Sequence, residues 1–205
     1  VVYLPQSVKG ERLRPDEEYH GLRIHLVAMM DKSTFPLQID IGYGDAVHSS
    51  LDVTSMPTLL DDSPVPQVRM YPREAVVAEK THAMVTLGLS NTRFKDFFDI
   101  WFLANHFDFD GSLLSAAMTA TFERRNTEIP ANTPVALTPE FTNDTGRQGM
   151  WSSFARKIQW PVAQVPSLST ITEHIADFLM PPLRAAQMKQ PFQQAWSHGA
   201  SHWAS

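Results

Sequence analysis

The spacing of hydrophobic residues changes along this 205-residue chain, and that change constrains the fold more than any other feature. Hydrophobic and polar residues alternate over 21–31 and again over 36–43, which is typical of two β-strands joined by a turn at 32–35. Four prolines interrupt 49–72, where we expect little regular structure. After residue 73 the hydrophobic residues recur every three or four positions, as in amphipathic helices. The sequence therefore predicts an α+β fold, with part of an antiparallel sheet first and a helical bundle after it.

We divide the chain into a sheet domain at 1–70, a helical domain at 71–190 and a flexible tail at 191–205. Residues 1–20 are expected to form an edge strand and a loop. The tail is rich in Gln, Ser and His, a composition that often frays at a chain terminus. Five helices are predicted, near residues 74–88, 92–106, 111–123, 145–159 and 168–187.

Composition is that of a globular protein, with 43% hydrophobic and 19% charged residues. A net charge of −5 does not favour broad electrostatic binding of nucleic acid, although a local basic patch is compatible with it. The absence of cysteine excludes disulfides and thiolate sites, and it fits a cytoplasmic protein. No hydrophobic run approaches the roughly 20 residues of a membrane span. The chain begins with Val1 rather than Met, which we interpret as a fragment.

One cationic residue interrupts the hydrophobic face of the first predicted helix. Burying its ammonium group is costly unless the group is paired or reaches solvent. Lys80 is therefore either a phosphate-binding residue in a cleft or a lysine at the edge of the stripe, paired with Asp99 or another carboxylate. At about 100° per residue, Lys80 falls among Val76, Val77, Ala83, Met84 and Leu87.

Charged residues cluster on one side of the second predicted helix, opposite its aromatic side. Lys95 and Asp99 are four residues apart, so a surface ion pair is the simplest interpretation. Phe102 and Leu103 lie on or beside the same arc, which indicates that this side is partly covered.

Asp108-Phe109-Asp110-Gly111-Ser112 contains a D-x-D directly followed by a Gly-Ser, at the start of the third predicted helix. Asp110 or Ser112 is better explained as the N-cap of the third helix. Arg124 and Arg125 end that helix, where cations complement its dipole or could contact an RNA phosphate.

Several segments resemble one known family, the AbiEii/AbiGii-type nucleotidyltransferase toxins of type IV toxin–antitoxin systems, which are similar to polymerase-β-like nucleotidyltransferases. The resemblance runs nearly end to end, in the same order. It rests on LQIDIGYGD at 37–45, PTLLDDSPVP at 57–66, YPREAVVAEK at 71–80, NTRFKDFFDIW at 91–101, TATFERR at 119–125 and ALTPEFTNDTGRQGMWSSF at 136–154.

The resemblance implies that Lys80 holds the triphosphate of an NTP and that Lys95 and Asp99 line the active site, with Asp96 beside them. We assign catalytic roles to Lys80, Asp96 and Asp99. Substrate binding is assigned to Lys80, Lys95 and Arg93.

The resemblance also implies Mg²⁺, which binds carboxylate oxygens in phosphoryl-transfer sites. Asp40 lies on the side of its strand away from Ile39 and Ile41 and is the candidate metal ligand, with Asp45 as the second candidate. An exposed aspartate on the wet side of a hairpin is the other interpretation of Asp40.

A Gly-Ser followed by a D-x-D, which the family uses to bind metal, is not found in this sequence. We therefore expect the chain to be the C-terminal portion of a family member and to be inactive alone. The implied reaction transfers a nucleotide from an NTP to an acceptor such as tRNA, and the implied partner is a cognate antitoxin that acts on expression. The alternative is a non-catalytic module that binds a nucleotide or a partner.

Overall fold

The computed structural model describes residues 1–13, 21–42, 52–158 and 165–204, and it separates the chain into two compact units, Val1–Asp45 and Ala46–Ser205. Antiparallel sheets and helices occur together, so the α+β prediction is confirmed. The division differs from the predicted boundary at residue 70. The difference arises because a two-stranded ribbon, β4 (Asp52–Ser55) and β5 (Gln67–Met70), belongs to the same unit as the helices.

The first unit is a three-stranded antiparallel sheet with the order β1-β2-β3. It consists of β1 (Val2–Leu13), β2 (Gly21–Met30) and β3 (Ser33–Gly42). The strands β2 and β3 pair up to Met30 and Ser33, so the turn is shorter and earlier than predicted. Asp31 takes a positive φ of 53° in that turn, which aspartate tolerates better than most residues.

The second unit is built on helices whose hydrophobic sides meet in one core. Its helices are α1 (Arg73–Leu87), α2 (Phe94–His106), α3 (Gly111–Arg124), α4 (Pro139–Thr142), α5 (Thr145–Lys157) and α6 (Leu168–Gln187). Short 3₁₀ turns lie at Gly88–Ser90 and Val135–Leu137. The largest fully buried side chains include Phe97, Phe122, Phe141, Phe178 and Met84. No helix among the described residues is long and hydrophobic enough to cross a membrane.

The residues after α6 are ordered by pairing and packing, contrary to the flexible tail expected at 191–205. A small antiparallel sheet joins β6 (Phe109–Asp110), β7 (Ala195–Ser197) and β8 (His202–Ala204). Trp196 is 1% exposed, and its Nε1 donates a hydrogen bond of 2.7 Å to the carbonyl of Ala104. That carbonyl lies in the last turn of α2, where no helical N–H is available to it.

A second tryptophan satisfies a carbonyl that a proline leaves without a partner. Pro182 lies inside α6 and has no N–H to donate to the carbonyl of Phe178, four residues earlier. Trp203 Nε1 donates to that carbonyl instead, at 2.9 Å. These contacts explain why the composition of the tail did not predict its structure.

The segment after α6 also contacts the start of α3. Asp110 caps α3 by accepting hydrogen bonds from the backbone of Ser112 and Leu113, which confirms the predicted N-cap. The Gly111 N–H donates to the carbonyl of Gln194 at 2.8 Å. A Cβ at Gly111 would lie 2.5 Å from that carbonyl oxygen, so only glycine permits this approach.

Candidate active site

The helices α1 and α2 bring one lysine against two carboxylates. Lys80 Nζ donates to Asp96 Oδ1 and to Asp99 Oδ2, each at 2.7 Å. Asp96 and Asp99 are three residues apart and therefore share a side of α2. The carboxylate partner predicted for Lys80 is present, and it is a pair rather than a single residue.

Burial within this trio is graded. The Asp96 side chain is 4% exposed, that of Lys80 is 16% exposed, and that of Asp99 is 23% exposed. Burial lowers the pKa of Lys80, but the hydrogen bonds and charges of the two carboxylates more than offset it, and the pKa is raised above its ordinary value. Lys80 is therefore a fixed cation at neutral pH.

Two further cations lie on the outer side of the carboxylates. Lys95 Nζ is 2.6 Å from Asp99 Oδ2, the oxygen that Lys80 also contacts. Arg93 Nε is 2.7 Å from Asp96 Oδ2, but its N–H does not point at that oxygen, so the contact is an ion pair without a hydrogen bond. The five side chains form what we call the Lys80 cluster, with three cations against two carboxylates.

The start of α2 fixes the geometry of the cluster, and sequence reasoning missed the residue responsible. Asn91 is 1% exposed, and its Oδ1 accepts a hydrogen bond of 2.8 Å from the Arg93 N–H. An asparagine three residues before a helix is a recognisable signal for an Asx turn. Asp96 lies in the first turn of α2, where a negative charge also complements the helix dipole.

A groove of about 750 Å³ opens beside the cluster, between the start of α2 and α5. Arg93 and Lys95 line it together with Lys157, and none of its lining residues is acidic. Lys157 makes no ion pair or hydrogen bond with the part of the chain that the structure describes. Gly149 leaves open space where a side chain would lie. We call this surface the α2–α5 groove.

Asp40, the predicted metal ligand, lies in the first unit and is engaged by an arginine. Arg23 donates from Nε and Nη2 to the two Asp40 oxygens, each at 2.8 Å, and these bonds hold the pKa of Asp40 below its ordinary value. Asp45 lies outside the described residues. Across residues 1–13, 21–42, 52–158 and 165–204, no group of three or more His, Cys, Asp or Glu side chains could hold a metal ion. Asp40 thus has an ion-pair partner and does not belong to such a group among the described residues.

The remaining candidates end up elsewhere in the second unit. Arg124 lies in the last turn of α3 and Arg125 follows it, with Arg125 Nη1 3.4 Å from His82 Nδ1. Burial, together with the charge of Arg125, lowers the pKa of His82 to about 4. Sequence reasoning also missed Glu79, whose Oε1 accepts a hydrogen bond of 2.5 Å from the Tyr71 hydroxyl.

A half-buried lysine held by two carboxylates beside a basic groove is an arrangement suited to binding a polyphosphate. The comparison with family models agrees with this class of site. Residues 4–171 match the model described as nucleotidyl transferase AbiEii toxin, type IV TA system. The chain therefore belongs to the AbiEii nucleotidyl transferase toxin family. Neither the curated proteins nor the solved structures contain a match.

Proposed function

We propose that this chain binds an NTP at the Lys80 cluster and serves the transfer of its nucleotide to an RNA acceptor such as a tRNA. Membership of the AbiEii family supports the reaction class. The observation that carries the proposal is Lys80 itself, a protonated lysine held at 2.7 Å by Asp96 and by Asp99.

Lys80 has the hydrogen-bonding capacity that the proposal requires. An ammonium group has three donors, and the two carboxylates use two of them. The third is available for a phosphate oxygen. Arg93 and Lys95 add positive charge beside it, so the cluster keeps a surplus of one cation over its two carboxylates.

The two carboxylates have different parts in this proposal. Asp96 is too buried to reach a substrate and positions Lys80. Asp99 is more exposed, and its Oδ1 accepts no hydrogen bond from any described residue. Asp99 is therefore the candidate catalytic residue, with an oxygen able to take a proton.

In the proposed reaction, the oxygen of an acceptor hydroxyl bonds to the α-phosphorus of the NTP. The bond from that phosphorus to the bridging oxygen of the β-phosphate breaks, and pyrophosphate leaves. The hydroxyl proton passes to a base, for which we propose Asp99. Lys80 stabilises the negative charge of the phosphates. The family implies Mg²⁺, which would add positive charge beside the phosphates when bound.

The α2–α5 groove is the proposed path of the acceptor strand. Arg93, Lys95 and Lys157 would contact its phosphates, which position a nucleic acid without reading its sequence. We further propose that the protein acts in the cytoplasm, where its NTP and tRNA substrates occur, and that an antitoxin acting on expression restrains it.

Nucleotide binding is the direct test, because the Gly-Ser and D-x-D of the family are not found in this sequence. Calorimetry would compare NTP affinity in the wild type, in Lys80→Arg and in Lys9→Arg, an exposed control in β1. Lys80→Arg keeps the charge and so protects the fold, but its planar group suits the site of a point charge poorly. We expect the affinity for NTP to be at least tenfold weaker in Lys80→Arg and to be unchanged in Lys9→Arg.

Equal affinities in a folded Lys80→Arg variant would remove Lys80 from the site. A protein that also carries the D-x-D could bind NTP and still transfer no labelled nucleotide to RNA. That result would instead support the non-catalytic alternative.

A further inference from the structure

A cavity in the second unit lies away from the Lys80 cluster, and we infer that it is a binding site for a short aliphatic polyamine. This cavity of about 910 Å³ is bounded by α3, the loop after α3 and the segment that follows α6. We call it the α3–α6 groove. Its volume is in the range of small-molecule sites, about 300–1,000 Å³. It shares no lining residue with the Lys80 cluster or the α2–α5 groove.

One side of α3 presents small and hydroxyl-bearing residues to this groove instead of hydrophobic ones. Ser112, Ser115, Ala116 and Thr119 follow helical spacing and line it together. Ser115 is 7% exposed, and its hydroxyl makes no hydrogen bond with any described residue. Because Ser115 lines the groove, its hydroxyl is open to a ligand N–H there.

The opposite side is formed by three glutamines, Gln187, Gln190 and Gln193. Their side-chain amides also have no hydrogen-bond partner within the described ranges. Each offers a carbonyl oxygen that accepts hydrogen bonds. The groove thus has several free acceptors for the N–H groups of a ligand.

Charge selects the class of ligand. Glu123 and Glu128 line the groove without an ion-pair partner among the described residues, whereas Lys189 is its single cation. This surplus of carboxylates repels phosphates and attracts amines. The groove is therefore opposite in sign to the α2–α5 groove, and a nucleotide is not its expected ligand.

Hydrophobic contacts select the shape of the ligand. Phe122, Ile129, Pro191 and Phe192 alternate with the polar groups of the lining. Methylene segments between amines pack on such surfaces, and an ammonium is attracted to the face of an aromatic ring. A linear polyamine combines both properties.

The position of the groove makes it independent of the reaction proposed above. The lining residues Ala186 to Gln193 follow residue 171, where the match to the family model ends. The inference therefore does not rest on the proposed nucleotidyl transfer, and its test needs no activity.

Calorimetry with spermidine at a fixed ionic strength tests the inference on the full 205-residue chain. The wild type would be compared with Glu123→Gln/Glu128→Gln and with the matched control Asp61→Asn/Asp62→Asn. The control removes the same two charges from an exposed loop of the same unit. We expect a single site, at least tenfold weaker affinity in the glutamate variant and unchanged affinity in the control.

A third variant, Gln190→Ala, distinguishes specific contacts in the groove from general electrostatic attraction, because it leaves the net charge unchanged. We expect it to weaken spermidine binding several-fold. The absence of spermidine binding would overturn the inference. An equal loss in both double variants would do the same, since it would show attraction to net charge only. Circular dichroism on each variant confirms that the fold is retained.

Discussion

Asp96 illustrates what a single residue must do to keep a lysine in a protein interior. It is the most buried charge of the Lys80 cluster, and it contacts Lys80 and Arg93. Asp99 contacts two lysines but is more exposed. The ion pairs that Asp96 and Asp99 each make with Lys80 should therefore differ in energy, because solvent screens the more exposed pair more strongly.

We expect Asp96→Asn to lower the free energy of unfolding by about 3 kcal/mol, since it removes one partner of a buried pair. Asp99→Asn should cost less, on the order of 1 kcal/mol, because the more exposed Asp99 is screened more strongly by solvent. Urea unfolding of the two variants measures both values. Equal costs would show that Asp96 does not anchor Lys80.

His82 gives a second prediction at the residue scale. Its pKa is about 4 in the fold against an ordinary 6.5, so the folded protein binds the proton less readily than the unfolded chain does. The contribution of His82 to the free energy of unfolding is therefore fully present above about pH 6.5 and is lost as the pH falls toward 4. Burial also lowers the pKa of His174, which adds to the loss in the same direction.

His82→Gln should flatten that profile by about 2 kcal/mol between pH 7 and pH 4. Unfolding free energies measured across this pH range test the prediction. An identical slope in His82→Gln and the wild type would contradict it.

At the scale of elements, the small sheet β6-β7-β8 depends on two indole N–H groups. Trp203→Phe keeps the ring against Phe178, but it leaves the Phe178 carbonyl without a donor. We expect a loss of about 1–3 kcal/mol, the cost of an unsatisfied buried carbonyl. Thermal unfolding of Trp203→Phe would be compared with Trp101→Phe, whose indole N–H has no partner in the described chain. Similar melting temperatures in the two variants would argue against this hydrogen bond.

The helices could be predicted from the sequence and the small sheet could not, for a physical reason. Helical periodicity is local, so α1, α2, α3 and α6 were expected within one or two residues of their observed bounds. The sheet depends on the tryptophans reaching carbonyls that α2 and Pro182 leave free, up to 92 residues away. No pattern of neighbouring residues records such a pairing.

The site was predictable to a similar extent. Lys80 was conspicuous because it broke a hydrophobic stripe, and the spacing of Asp96 and Asp99 placed both on one side of α2. Asn91 was missed although its place before α2 is typical of an Asx turn. Lys157 was missed because an ordinary helical lysine carries no signal until the fold places it. Asp40 was given its role by resemblance, and its pairing with Arg23 follows from the register of β2 and β3.

At the scale of the whole molecule, a net charge of −5 opposes nucleic-acid binding, and the basic lining of the α2–α5 groove offsets it locally. If Arg93, Lys95 and Lys157 each neutralise one phosphate, the logarithm of RNA affinity should fall with the logarithm of salt concentration at a slope of about −2. Lys157→Gln should reduce that slope by about 0.7, whereas Lys9→Gln should not. Filter binding of single-stranded RNA over a series of salt concentrations measures this slope in each variant. An unchanged slope in Lys157→Gln would place the RNA elsewhere.

The pairing of β6 with β7 also bears on how the second unit folds. Trp196 can find the carbonyl of Ala104 only after the intervening 92 residues have been brought into a closed loop. Closing such a loop costs conformational entropy that local helix formation cannot repay, so contacts of this kind are typically formed late. The helices of the unit are thus expected to assemble first into a loose intermediate with the start of α3 exposed. The final barrier would be the docking of the two tryptophans, which converts that intermediate into a single cooperative body.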